Sequence, residues 1–103
     1  MDNPFYYWLI VPRTNVPPVI TGITPIIGPI AGGTPITNLA GTSFLPGATV
    51  TFDGIPAAGV VFVSSIKLTC VTPANAAGPA NVVVTNPDGQ TSGASGNGIF
   101  TYF

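Results

Sequence analysis

Short runs rich in Val, Ile, Thr and Phe recur along the chain, and within them apolar and polar residues alternate with a period of two. That period turns one side of an extended segment inward and leaves the other in water, as in a half-buried strand. Thr49-Val50-Thr51-Phe52 is the cleanest case and stops at Asp53-Gly54, a preferred hairpin pair. The same reading predicts strands over 19–23, 34–40 (after a Gly32-Gly33 turn), 60–63, 67–71, 81–85 and 98–103. Asn86-Pro87-Asp88-Gly89 supplies the turn after the sixth. On the last strand Ile99, Thr101 and Phe103 share one face, Phe100 and Tyr102 the other. Twelve prolines and thirteen glycines break the chain too often for helices of ordinary length. Seven strands with turns at short spacing suit an all-β, immunoglobulin-like sandwich.

The alternation also names a core. Ile20, Ile23, Ile36, Leu39, Val50, Phe52, Leu68, Cys70, Val82, Val84 and Phe100 are expected inward. Cys70 stands alone, so the chain forms no internal disulfide. In Lys67-Leu68-Thr69-Cys70-Val71 it takes the place of a small buried apolar residue.

Several segments resemble a known family in both content and order. They are Pro18-Val-Ile-Thr-Gly-Ile-Thr-Pro25, Gly28-Pro-Ile-Ala-Gly-Gly-Thr34, Gly41-Thr-Ser-Phe44 and Val50-Thr-Phe-Asp-Gly-Ile-Pro-Ala57. Leu68-Thr-Cys-Val-Thr-Pro73, Gly78-Pro-Ala-Asn-Val-Val-Val-Thr-Asn-Pro-Asp-Gly89 and Phe100-Thr-Tyr102 continue the series. Together they resemble an IPT/TIG domain over residues 17–103. The resemblance implies an immunoglobulin-like β-sandwich, a fold used in cell-surface receptors, transcription factors, polysaccharide-acting enzymes and many bacterial and phage surface proteins. It therefore speaks to fold more than to function. One segment departs from the family's pattern. Strict alternation from Ile36 would bury Asn38 and expose Leu39. One extra residue restores the order, so a β-bulge is expected near Asn38.

Charge narrows the functions open to this fold. The only charged residues are Asp2, Arg13, Asp53, Lys67 and Asp88, and the net charge is −1. Without histidine, glutamate or a second cysteine, the chain lacks an ordinary general base, a catalytic triad and a zinc-ligand set. No enzyme activity, cofactor or metal is expected. Asp53 and Asp88 each stand alone beside a glycine, whereas calcium takes six to eight oxygen ligands, so both read as turn residues. Two basic residues neutralise too few phosphates for nucleic-acid binding. Residues 90–98, rich in Gly and Ser, read as a mobile surface tip. So few charges also suggest that much of the surface is packed in an assembly.

The start of the chain carries the strongest functional signal. Phe5-Tyr6-Tyr7-Trp8-Leu9-Ile10-Val11 is an unbroken apolar strip between Pro4 and Pro12. It is far shorter than the ~20 residues that cross a bilayer, and the lack of basic neighbours argues against a membrane surface. Residues 1–17 are read as an arm and linker, and 18–103 as the domain. As a strand the strip would run ~23 Å. It is expected to serve as an interface with another subunit, its alternative fate being an added strand on its own sandwich. A start at Met1 without a basic leader suggests cytoplasmic synthesis. These features lead to a non-enzymatic structural protein, a bacteriophage capsid decoration or cement subunit on the virion exterior. The expected partners are the major capsid protein or other virion subunits, in a homo-oligomer or lattice, without nucleic acid or membrane. The alternatives are an extracellular subunit of a bacterial filament or adhesin, and a carbohydrate-binding module using Tyr6, Tyr7 and Trp8 as a stacking platform.

Overall fold

The computed structural model describes residues 16–93 and 96–103. Within them the chain forms β1 (Val19–Thr24), β2 (Ile27–Gly28), β3 (Pro35–Thr42), β4 (Thr49–Phe52), β5 (Ile55–Pro56), β6 (Ala58–Ser64), β7 (Lys67–Val71), β8 (Gly78–Thr85) and β9 (Ile99–Tyr102). They make two sheets, ordered β1-β3-β7-β6 and β2-β9-β8-β4-β5. Every pairing is antiparallel except that of β2 with β9.

The seven longer strands are those that the alternation predicts, with altered ends. β3, β6 and β8 run further than expected, to Thr42, from Ala58 and from Gly78. β2 and β5 are additional and hold two residues each. Both lie where the chain changes sheets beside a proline, Pro25 before β2 and Pro56 within β5. A proline has no N–H to continue a ladder, so pairing stops and the chain is free to cross.

All eleven residues expected inward are buried. The bulge is present too. Pairing of β3 with β7 shifts register between Ile36 and Leu39, Leu39 is fully buried, and Asn38 lies exposed. Phe44, Ala48, Ala80 and Tyr102 complete the apolar core. Phe44 and Ala48 sit on the β3–β4 connection, where alternation gives no signal. At the centre, Phe52 meets Phe100 edge-on at 5.5 Å between ring centroids, and Phe100 meets Tyr102 at 5.1 Å. Such contacts add about 0.5–1.5 kcal/mol each beyond the burial of their area.

Buried polar groups are paired. The Asn86 side chain donates to the Ser43 carbonyl at 2.8 Å and accepts the Leu45 N–H at 3.1 Å. It fastens the β8–β9 connection to the β3–β4 one. The Thr72 hydroxyl accepts the Thr34 N–H at 3.0 Å. Tyr102 donates its hydroxyl to the Pro73 carbonyl at 2.8 Å, which ties β9 to the segment leaving β7 in the other sheet.

Gly41 explains itself by close approach. A Cβ there would strike the Val19 backbone carbonyl and the Phe44 ring. Gly41→Ala is therefore expected to cost about 3 kcal/mol through overpacking, read as a lower urea midpoint at unchanged slope. An unchanged midpoint would show that β1 and β3 are not this close.

The core also sets a pH dependence. Burial raises the Cys70 thiol from 9.0 to about 12. Burial, and next the charge of Asp53, raise the Tyr102 hydroxyl above 10.0, against a lowering by its hydrogen bond with Thr72. In both cases the unfolded chain loses its proton first as pH rises. The stabilisation is complete below pH 9 and declines through the window from 9 to 12 for Cys70. Urea midpoints should fall between pH 8 and pH 11, and Cys70→Val should flatten part of that fall. Identical slopes for the two proteins would refute it.

Candidate interaction surface

The turns place the isolated acidic residues. Asp53 and Gly54 form the two-residue loop joining β4 to β5, with φ of 53° and 81°. Positive φ at both positions is what a type I′ hairpin requires, and Asp-Gly meets it at low cost. The Asp53 carboxylate does more than the sequence suggests. It accepts the Asn81 N–H at 2.9 Å and the Asn75 side-chain amide at 3.3 Å. Asp88 accepts the Gln90 N–H at 3.0 Å, inside a turn closed by Gly89 N–H to the Asn86 carbonyl. Asp53 thus ties its hairpin to β8 and to the β7–β8 connection, while Asp88 shapes its own turn. Among the described residues no three of His, Cys, Asp and Glu come together, and no pocket is enclosed.

The segment read as a mobile tip is held at its start. Thr91 bridges to Thr85, and Ser92 exchanges hydrogen bonds with Val84 through its N–H at 2.8 Å and its hydroxyl at 2.9 Å. At its end the Gly98 carbonyl accepts the Val82 N–H at 2.7 Å. Gln90–Ser92 folds back along β8 because those β8 groups find no other partner strand there; the expectation of a free tip does not hold for it.

What the surface offers instead is exposed apolar side chains. Ten large ones lie open among the described residues, against three charged side chains, Asp53, Lys67 and Asp88. Seven of them gather beside two edge strands of the sandwich. At one, Ile26, Ile27, Ile30 and Phe103 surround β2, held by Ile30 N–H to the Phe103 carbonyl and Phe103 N–H to the Gly28 carbonyl, both at 3.0 Å. At the other lies β6, which pairs with β7 alone and ends its sheet. Its Val61 and Val63 are 53% and 52% exposed, and Ile66 in the following turn is 61% exposed. Val60 and Phe62 on the opposite face pack against the core. This β6 margin was not singled out from the sequence. The available signal was the run Val60-Val61-Phe62-Val63, apolar on both faces where a solvated strand would alternate.

The residues expected to form the interface, Phe5 to Val11, and with them the aromatic platform for sugars, lie outside the described residues. The linker reaches the domain at Val16, which is exposed, and Pro18, which is buried.

The strand order, the core and this arrangement of turns agree with one family. The sequence profile described as IPT/TIG domain matches residues 18–102. The chain belongs to the IPT/TIG domain family. Among curated proteins this IPT/TIG domain is similar to Fibrocystin-L of Mus musculus, with 37% identity over 67 residues, or 65% of the chain and 2% of that protein. Among solved structures it is similar in fold to the Plexin A4 full extracellular region. The TM-score is 0.70 at 20% identity, covering 85% of this chain and 9% of the plexin chain. The IPT/TIG domain thus spans a small fraction of each of these two proteins.

Because Val61 and Val63 point away from the core, replacing both by Lys should move stability by no more than about 0.5–1 kcal/mol. Urea titration checks this. A loss of several kcal/mol would show that their side chains carry packing within the domain.

Proposed function

We propose that this IPT/TIG domain is a non-catalytic protein–protein interaction module of an extracellular or cell-surface assembly, anchored through the apolar strip at residues 5–11. The observation that carries the reading is the described surface, poor in charge and open in aliphatic side chains at both margins. Exposed apolar surface of this kind marks contact with another protein. The similarity to Fibrocystin-L and to the plexin extracellular region supports a surface module of a receptor, filament or adhesin. The narrower reading as a capsid decoration subunit draws no support from either and rests on the strip alone. Carbohydrate binding rests on Tyr6, Tyr7 and Trp8 in the same strip, since Phe103 is the only exposed large aromatic side chain among the described residues.

The strip suits an anchor energetically. Burying seven large apolar side chains at ~1.5–3 kcal/mol each yields on the order of 10–20 kcal/mol before the cost of ordering. Among the described residues the core runs from Ile20 to Tyr102 and closes without the strip. Deleting residues 1–12 should therefore leave the melting temperature nearly unchanged while removing the protein from its native assembly. Trp8→Ala should be the most damaging single change in the strip, weakening association about tenfold or more. A deletion variant that unfolds would make the strip a strand of its own domain. One that assembles normally would move the contact to the loops, residues 90–98 first.

A further inference from the structure

We infer that the 5–11 strip of one copy adds as a strand to the β6 edge of a second copy, so that the chain joins head to tail. The inference rests on the reading of the strip as an intermolecular anchor, and it names the surface that receives it.

The sandwich presents four edges, and they are not equal. β2 and β5 hold two residues each, with Pro25 and Pro29 flanking the first and Pro56 within the second. Prolines deny those edges a continued ladder. β1 holds six residues between Pro18 and Pro25 and exposes Thr21 and Thr24 beside Val19. β6 holds seven residues, Ala58–Ser64, without a proline or a charge. Long, uncharged, aliphatic edges are the ones that accept a further strand.

Donor and acceptor match in length and chemistry. The strip also has seven residues, none charged, between two prolines that end pairing at each side. In an added strand Phe5, Tyr7, Leu9 and Val11 would fall on one face and Tyr6, Trp8 and Ile10 on the other. Both rows are apolar, and so are both faces of β6. One row would extend the core beyond Val60 and Phe62, and the other would cover Val61 and Val63. The register shifts in β6 on either side of Val61 and Phe62 twist the edge. They limit the length of a regular ladder, so side-chain burial contributes more than backbone bonds.

The point where the chain enters the domain favours a second copy over the same one. Proline rings at 17 and 18 hold Val16 and Pro17 extended, and no turn forms over 16–18. Residues 16–18 thus lead into β1 without a reversal. β1 and β6 are the opposite edges of their sheet, about 14 Å apart at three strand spacings. A donor at one margin and an acceptor at the other make a heterologous contact, which propagates as an open chain or closes as a ring.

Sedimentation velocity on three proteins tests this: the full chain, the deletion of residues 1–12, and the Val61→Lys/Val63→Lys double variant. The full chain should form species larger than a monomer that grow with concentration. The deletion and the double variant should each remain monomeric. Mixed in equal amounts they should form a heterodimer, since the first retains the β6 edge and the second retains the strip. Val61→Thr/Val63→Thr keeps strand propensity without charge and should weaken association about tenfold, which separates lost contact from a misfolded variant. If the full chain is monomeric, or if the mixture stays monomeric, the inference falls. If the deletion is monomeric while both double variants assemble like the full chain, β6 is not the acceptor and the anchor reading survives. If the deletion assembles like the full chain, the anchor reading falls with it.

Discussion

The packing of Phe52 against Phe100 and Tyr102 is the contact on which the rest of the structure depends. Phe52 lies on β4 and the other two on β9, with β8 between them. The rings meet across β8 because that strand sets the small side chain of Ala80 opposite Phe100 and Val82 opposite Phe52. The same contact dictates neighbours further out. A Cβ at Gly28 would lie 2.8 Å from the tip of the Phe100 ring, so β2 can run beside β9 only with glycine at that position. The Tyr102 hydroxyl then reaches the other sheet at the Pro73 carbonyl. One aromatic cluster thus fixes the order of one sheet and its seating on the other.

With five charged residues in the whole chain, ionic contacts have little part in this fold. Orientation comes from neutral groups bonded to backbone. Asn86 links two connections at one end of the sandwich, and Thr72 holds the start of β3. Asp53 is the charged exception and also bonds to a backbone N–H. These bonds add modest net stability, but an unmet partner at any of them would be costly. The outcome is a domain whose loops are held from within, leaving the margins of the sheets free for contact.

Those margins connect fold to function. The chain has no constellation for chemistry among its described residues, and its family and fold relatives place such a sandwich within much longer proteins. A module of this kind works by presenting surfaces in fixed relation. Here the crossings at Pro25 and Pro56 set aliphatic side chains along both sides of the sandwich. A strip that reaches one of them from a neighbouring copy would turn a single domain into a repeating unit.

Much of this was legible in the residues. Alternation in Thr49-Val50-Thr51-Phe52 located β4 and its inward face, and the misfit of Asn38 between Ile36 and Leu39 located the bulge. The Asp-Gly and Asn-Pro-Asp-Gly turns were readable because φ preference is a local property. The apolar strip at residues 5–11 stood out by composition alone. Other features depended on contacts distant in sequence. Phe44 is buried from a connection, Asn86 from a turn, and Gln90–Ser92 folds onto β8. β2 and β5 exist only because another strand lies alongside. Above all, the run of apolar residues 60–63 reads as buried on both faces, yet Val61 and Val63 are open because only the Val60 and Phe62 face packs against the core. Period and propensity decide which residues share a face. Which face meets water is decided by how one sheet packs on the other, and that packing is a property of the assembled sandwich.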